Sequence, residues 1–369
     1  MAKFFVVTTD LKKAVAAAAN IINSHTTVPI LSNILVETSN DSVTVSATDL
    51  EVSIRYSLPA EVVEPGATTV PGKLFASFLN ASATGVVEFS SNGSQATLLV
   101  EKSKVALHTL AADEYPPLPV STDQVAFSIE SSKFRKLVED ISFAASREES
   151  RGSILMSVLF EISGSMLTAV TTDGYRLAKV EQAFESATID DGNFLVPVRA
   201  LQQVAKNASQ SDIVHISILG GDKHMAFQMG AVSIIVRLVS GTYPNYRQVI
   251  PQEFDRTMTI STSLLMGALK RAALIAGNGA NEVKLVLEEN HLVITSQNDI
   301  TGNAYEDIDC EISGEPMTVG FNASYLVEIL RGIDTEETIF SLHGPLSPVK
   351  IEPVEAISTQ SYILMPLNR

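Results

Sequence analysis

The chain of 369 residues has one cysteine, Cys310. No disulfide framework and no cysteine-based zinc site can be built from it, and such usage fits a reducing compartment. Long apolar runs are also missing, and none approaches the length of a membrane span. The opening MAKFFVVTTDLKK has four consecutive apolar residues before Asp10 and two lysines. It makes a poor secretory signal, so the expected location is cytoplasmic. Positive charge is scarce: 26 Lys and Arg stand against 42 Asp and Glu, for a net charge of −16. Taken as an average, that balance argues against nucleic acid.

Catalytic equipment is absent too. The six histidines, His25, His108, His215, His224, His291 and His343, form no HExxH and no close ligand pair. His215 and His224 flank a Gly-Gly turn and suit the surface of a hairpin. The stretch GNGANE from Gly277 to Glu282 lacks the third glycine of a dinucleotide loop, and no Walker-type loop or nucleophile elbow occurs. No metal, cofactor or catalysis is expected. With 45% hydrophobic and 18% charged residues the chain folds, and it is too long for one ordinary core.

What is present is repetition. Asp49 in TDLEVSIRY and Asp173 in TDGYRLAKV lie 124 residues apart. Val70-Pro71 and Val196-Pro197 are 126 apart, and Tyr115-Pro116 and Tyr243-Pro244 are 128 apart. Three markers in one order at nearly equal offsets define a repeat. A fainter third copy runs through QNDITGNAYEDIDCEI, MTVGFNASYLVEILRG and SYILMPL. The expected fold is α+β, with three repeated domains at 1–120, 121–252 and 253–369, each holding two helices and antiparallel sheets. Helical spacing puts Leu11, Ala14, Val15 and Ala18 on one apolar face, after Thr9 and Asp10 as N-caps. Phe134, Leu137, Val138 and Ile141 do the same in the second copy, and Leu265, Ala268, Leu269 and Ala272 in the third. Pro71 and Pro197 open the second helix of their repeats, where a missing N–H is tolerated.

The charge is not spread evenly. The six helical segments hold eleven basic residues and four acidic ones, which leaves −23 on everything else. Lysine and arginine are good helix formers on solvated faces, but ordinary surface helices mix both signs. The skew in repeated elements points to helices that face a polyanion, with sequence-independent, salt-sensitive phosphate contacts. Two such chains closed into a ring would line a hole with twelve helices. At about 9–10 Å between axes, that hole is roughly 25–30 Å wide, enough for a duplex. Two other readings compete. One is a monomeric interaction adaptor with three repeats. The other is a hydrolase using Asp49 or Asp173, although no base, metal cluster or oxyanion loop accompanies them; a strand-end turn suits both aspartates better.

The stretches TVPILSNILVE, EPGATTVPGKLF, TTDGYRLA, FLVPVRAL, TYPNYRQVIP, GFNASYLVEIL and SYILMPL together resemble the bacterial DNA polymerase III beta subunits, over essentially the whole chain. The resemblance implies a head-to-tail homodimeric ring around duplex DNA, opened by a clamp loader. DNA polymerases and repair proteins would dock on it through short linear peptides. The family's peptide cleft maps onto Leu155, Thr172, Gly174, Tyr175, Arg176, Leu177, Pro244, Val249, Asn322, Tyr325, Leu346, Pro348, Ile363, Met365, Pro366 and Leu367. A notch of Leu, Pro, Val and Met suits a peptide bearing Leu or Phe. The implied DNA contacts are His25, Lys73, Arg147, Arg151, Arg199, Lys206, Lys270 and Arg271. The implied dimer seam sets Lys102, Lys104, Val105 and Leu107 against Leu274, Ile275, Glu306, Asp307 and Asp309. Tyr175, Gln248 and Pro348 depart from common family residues and bear on peptide preference.

Overall fold

The computed structural model describes residues 1–22, 26–122, 124–184, 190–209, 211–277, 281–355 and 359–367. Among these it holds six α-helices: α1 (Thr8–Ala19), α2 (Gly72–Ala81), α3 (Ser131–Ser142), α4 (Val198–Ala208), α5 (Thr262–Ala276) and α6 (Ala323–Arg331). They carry the same eleven basic and four acidic residues as the segments read from the sequence. The apolar positions expected on α1, α3 and α5 are all buried.

The helix starts differ from expectation. Thr9 and Asp10 lie inside the first turn of α1, whose N-cap is Val7 and has no side-chain cap. The exposed amide is held by main chain instead: Thr8 N donates to Gly85 O at 2.9 Å. The other two repeats use the same device, with Ser131 N on Asp212 O and Thr262 N on Glu336 O, both at 2.9 Å. A strand runs straight into each of these helices, so a neighbouring carbonyl is already in place and no Ser or Asp is needed. Only α6 has a side-chain cap among the helix starts so described: Asn322 Oδ1 accepts from Ser324 N at 2.9 Å and Tyr325 N at 3.3 Å.

The described chain forms two compact units. The first comprises Met1–Phe134 and Arg199–Leu238, and the second comprises Arg135–Phe184, Asp190–Val198 and the chain from Val239 on. The first unit has a five-stranded sheet ending at Ser103–His108 and an eight-stranded sheet. The second has a nine-stranded sheet and a four-stranded sheet ending at Gly302–Asp309. All pairings among the described strands are antiparallel.

Each large sheet is built across a repeat junction. Val52–Pro59 of the first repeat pairs with Val232–Arg237 of the second, with Ile54 opposite Ile234. Arg176–Ala183 of the second pairs with Thr359–Leu364 of the third, with Leu177 opposite Ile363. The same two strands of the repeat are used both times.

One buried acid lies off the cleft. The Asp140 carboxylate on α3 is almost fully enclosed, 2.8 Å from Lys136 Nζ, and accepts from Gln360 Nε2 at 2.6 Å. Burial, only partly offset by Lys136, pushes its pKa up to about 7. The native state therefore holds this proton more tightly than the unfolded chain. Stability falls as pH rises from about 4 to about 7, and the cost is complete above that. Asp140→Asn is expected to raise the melting temperature at pH 8 by a few degrees, about 2 kcal/mol, and to give no gain at pH 4.5. Thermal melts of both proteins at the two pH values check this.

Candidate functional site

The site starts from a turn. Between the strands Met166–Thr172 and Arg176–Ala183, Asp173 Oδ1 accepts from Tyr175 N at 2.9 Å and Arg176 N at 3.0 Å. Thr172 Oγ1 donates to Arg176 O at 2.7 Å, and Gly174 takes a φ of 88°. The first repeat makes the same turn. Asp49 Oδ1 accepts from Glu51 N and Val52 N at 3.0 and 2.8 Å, and Thr48 Oγ1 donates to Val52 O at 2.9 Å. In the third repeat Asn298 Oδ1 plays the part, accepting from Ile300 N and Thr301 N at 2.9 and 3.2 Å. Asp49 and Asp173 are thus Asx-turn residues. The Tyr-Pro markers gain a reason as well. Tyr243 Oη accepts from Thr172 N at 3.0 Å, and Tyr115 Oη accepts from Thr48 N at 3.2 Å.

This turn forms one lip of a cleft of about 200 Å³ in the second unit. Leu155, Thr172, Gly174, Tyr175, Arg176, Leu177, Pro244, Val249, Ile363 and Met365 line it, as mapped from the sequence, together with Asn245 and Tyr246, which the mapping does not include. Its floor is an apolar cluster that includes Leu177, Tyr243, Tyr246 and Ile363. The linker wall is fixed from behind. Tyr246 Oη donates to Glu161 Oε2 at 2.5 Å, and Arg247 grips the same carboxylate at 2.8 and 3.1 Å while lying over the Tyr246 ring. Burial, with the carboxylate adding to it, pushes the Tyr246 phenol far above its ordinary range. The far wall is held by Met365 N, which donates to Tyr175 O at 2.9 Å.

Six mapped residues are outside the lining of this cavity. Asn322 is the α6 cap described above. The Tyr325 ring lies 4.1 Å from the Arg176 guanidinium and forms no part of the cavity lining. That guanidinium is buried, donating to Phe143 O at 2.7 Å, to Asp173 Oδ2 at 3.1 Å and to Glu328. Arg176 therefore lends the cleft its stem while its charge is neutralised behind the wall. Leu346 and Pro348 sit in the loop after Glu337–Leu342. Pro366 and Leu367 follow Met365 and are half-buried, with Leu367 N on Gly320 O at 2.8 Å.

Three family models cover the chain: the DNA polymerase III beta subunit N-terminal domain over residues 2–119, its central domain over 128–245 and its C-terminal domain over 247–368. The beta sliding clamp of Synechococcus elongatus is 30% identical over 374 residues, covering 97% of each chain. That of Escherichia coli K12 is 28% identical, over 99% of this chain and all of the other. The chain belongs to the DNA polymerase III beta subunit family. Among solved structures, a Bacillus subtilis DNA polymerase sliding clamp superposes with a TM-score of 0.94 at 25% identity, over 100% of this chain and 99% of that one. A Pseudomonas aeruginosa sliding clamp bound to griselimycin gives 0.92 at 26%, over 100% of both.

The remaining residues implied by family membership fall into distinct groups. His25 lies outside the described residues. Lys73 on α2, Arg199 and Lys206 on α4 and Lys270 on α5 are exposed. Arg271 is not available in the same way, because its Nε and Nη2 grip Glu306 at 2.8 and 2.5 Å. That pair also removes Glu306 from the set of unpaired anions near the edge strand. Arg147 reaches Glu328 at 3.4 Å. Arg151 donates to Glu148, to Asp173 O and to Tyr175 Oη, so it belongs to the cleft rim and not to the set of unpaired cations. On the seam side, Lys102 and Lys104 are exposed beside Val105 and the buried Leu107. Asp307 and Asp309 are exposed on Gly302–Asp309, and Leu274 is 76% exposed on α5 next to the half-buried Ile275.

Proposed function

We propose that this chain is the processivity clamp of a bacterial DNA polymerase III: a head-to-tail homodimer of three-repeat chains (1–120, 121–252, 253–369) that closes around duplex DNA. It catalyses nothing itself, is placed on DNA by a loader, and tethers DNA polymerases and repair proteins by short peptides seated in the cleft.

The observation that carries the reading is the repeated sheet junction. In each case one repeat offers the strand after its Asx turn, and the next repeat offers its last strand. The third repeat has the strand after its turn, Gly302–Asp309, at the end of a sheet, and the first has its last strand, Ser103–His108, at the end of another. Among the described residues each lacks the partner that the series calls for, and a second copy of the chain supplies both. Unpaired edges of this length invite pairing. The charges match, with Lys102 and Lys104 against Asp307 and Asp309, which favours head-to-tail over like-to-like association. Leu274 and Ile275 add apolar area at the same seam.

The test is mass in solution. The unaltered protein is expected to run as a dimer. Lys102→Glu with Lys104→Glu is expected to weaken the dimer at least about a hundredfold. Adding Asp307→Lys and Asp309→Lys in the same chain is expected to restore it, since the charges are then exchanged. A stable monomer for the unaltered chain would sink the reading. Retention on closed circular DNA that persists after the DNA is linearised would sink the encircling part of it.

A further inference from the structure

We infer that Arg151 is a positioning residue of the cleft, which sets the orientation of the Tyr175 ring and thereby which side chain of a partner peptide the cleft prefers. The inference rests on the reading of the cleft as a peptide site and assigns one residue's part in it.

Tyr175 is the most exposed of the large apolar residues that line the cleft. Its main chain is fixed on both sides: N is held by Asp173 Oδ1 at 2.9 Å, and O accepts from Met365 N at 2.9 Å. The residue is 51% exposed in the cleft lining, so packing alone does not choose its rotamer. Arg151 supplies the choice. Its Nη2 donates to Tyr175 Oη at 3.2 Å, and the guanidinium carbon lies 4.9 Å from the ring centroid. The ring is thus held at its hydroxyl and on one face.

The holder is itself anchored. Arg151 Nη1 donates to Asp173 O at 2.7 Å, and Nε donates to Glu148 Oε2 at 3.1 Å. The planar fork reaches the turn carbonyl with one arm and the phenol with the other, which an ammonium on a flexible stem cannot reproduce. Gly174 belongs to the same arrangement, because a Cβ there would meet Arg151 Nη1 at 3.4 Å and the φ of 88° already disfavours a side chain. With Arg151 in place one lip of the cleft is an aromatic wall of fixed direction. Without it the ring samples other rotamers and the wall loses its shape.

Two fluorescein-labelled hexapeptides that differ only in carrying Phe or Leu at one position test this by fluorescence anisotropy. Arg151→Ala is expected to weaken the Phe peptide about tenfold and to change the Phe-to-Leu affinity ratio at least about threefold. Tyr175→Phe, which removes only the hydroxyl, is expected to reproduce part of that change. In a Tyr175→Ala background, Arg151→Ala is expected to alter affinity less than about twofold, since the two residues act as one unit. Arg151→Lys is expected not to rescue. Unchanged peptide affinity in Arg151→Ala, additive effects of the two substitutions, or full rescue by lysine would each overturn the inference. So would loss of DNA retention with peptide binding intact, which would return Arg151 to phosphate contact. Failure of the unaltered protein to bind either peptide would overturn the cleft reading itself and this inference with it.

Discussion

Reversing Arg199, Lys206 and Lys270 to glutamate is expected to abolish retention on closed circular DNA while the protein remains a dimer. All three are exposed on helices α4 and α5, and they make no ion pair among the described residues. Each reversal changes the charge by two, so a dimer changes by twelve on the helices that would face phosphate. Because neutralising phosphate releases counterions, the salt dependence of retention should flatten as well, its log–log slope falling by roughly one for each phosphate left without a cation. Arg271→Glu is the informative contrast. Its charge is already cancelled by Glu306, so its removal should cost less retention and more local stability than reversal of Lys270 beside it. Equal retention by the triple variant and the unaltered protein would remove the helices from the DNA-facing role.

Ending the chain after Leu364 is expected to lower peptide affinity more than a hundredfold, about 3 kcal/mol, and to leave the dimer mass unchanged. The deletion removes Met365, a cleft wall, and its bond to Tyr175 O, while the strand Thr359–Leu364 keeps its pairing with Arg176–Ala183. The fold should therefore survive as the cleft loses a side. Affinity retained by the shortened chain would place the peptide elsewhere. The two experiments are independent, since one leaves the cleft intact and the other leaves the helical charges intact.

Particular residues show why some of this is legible in the sequence and some is not. Asp49 and Asp173 recur because each closes its own turn, and so local a job is written in residue type and spacing. Helix faces are legible for the same reason. Ion pairing is different, because it depends on which carboxylate the fold brings opposite a given cation. Nothing near Arg151 in sequence announces Tyr175, and nothing near Arg271 announces Glu306, 35 residues on. Family resemblance maps Tyr325 to the cleft, but nothing in the sequence announces that its ring lies against the Arg176 guanidinium. Tyr246 escapes sequence reasoning although a signal is there: a second aromatic three residues after Tyr243, next to an arginine, in a linker that must close over something.

The main-chain hold on the first amide of α1, α3 and α5 bears on how the three repeats have drifted apart. A cap made by a side chain ties a position to a few residue types, and losing it costs about 1 kcal/mol. A cap made by a carbonyl asks of the donor only that it have an N–H, so the cap itself does not select the side chains at Thr8, Ser131 and Thr262, or those of Asp212 and Glu336 that supply the carbonyl. The cap therefore recurs with Thr, Ser or Thr at the donor and Gly, Asp or Glu at the acceptor, and the helix start keeps its shape where the three repeats differ in sequence.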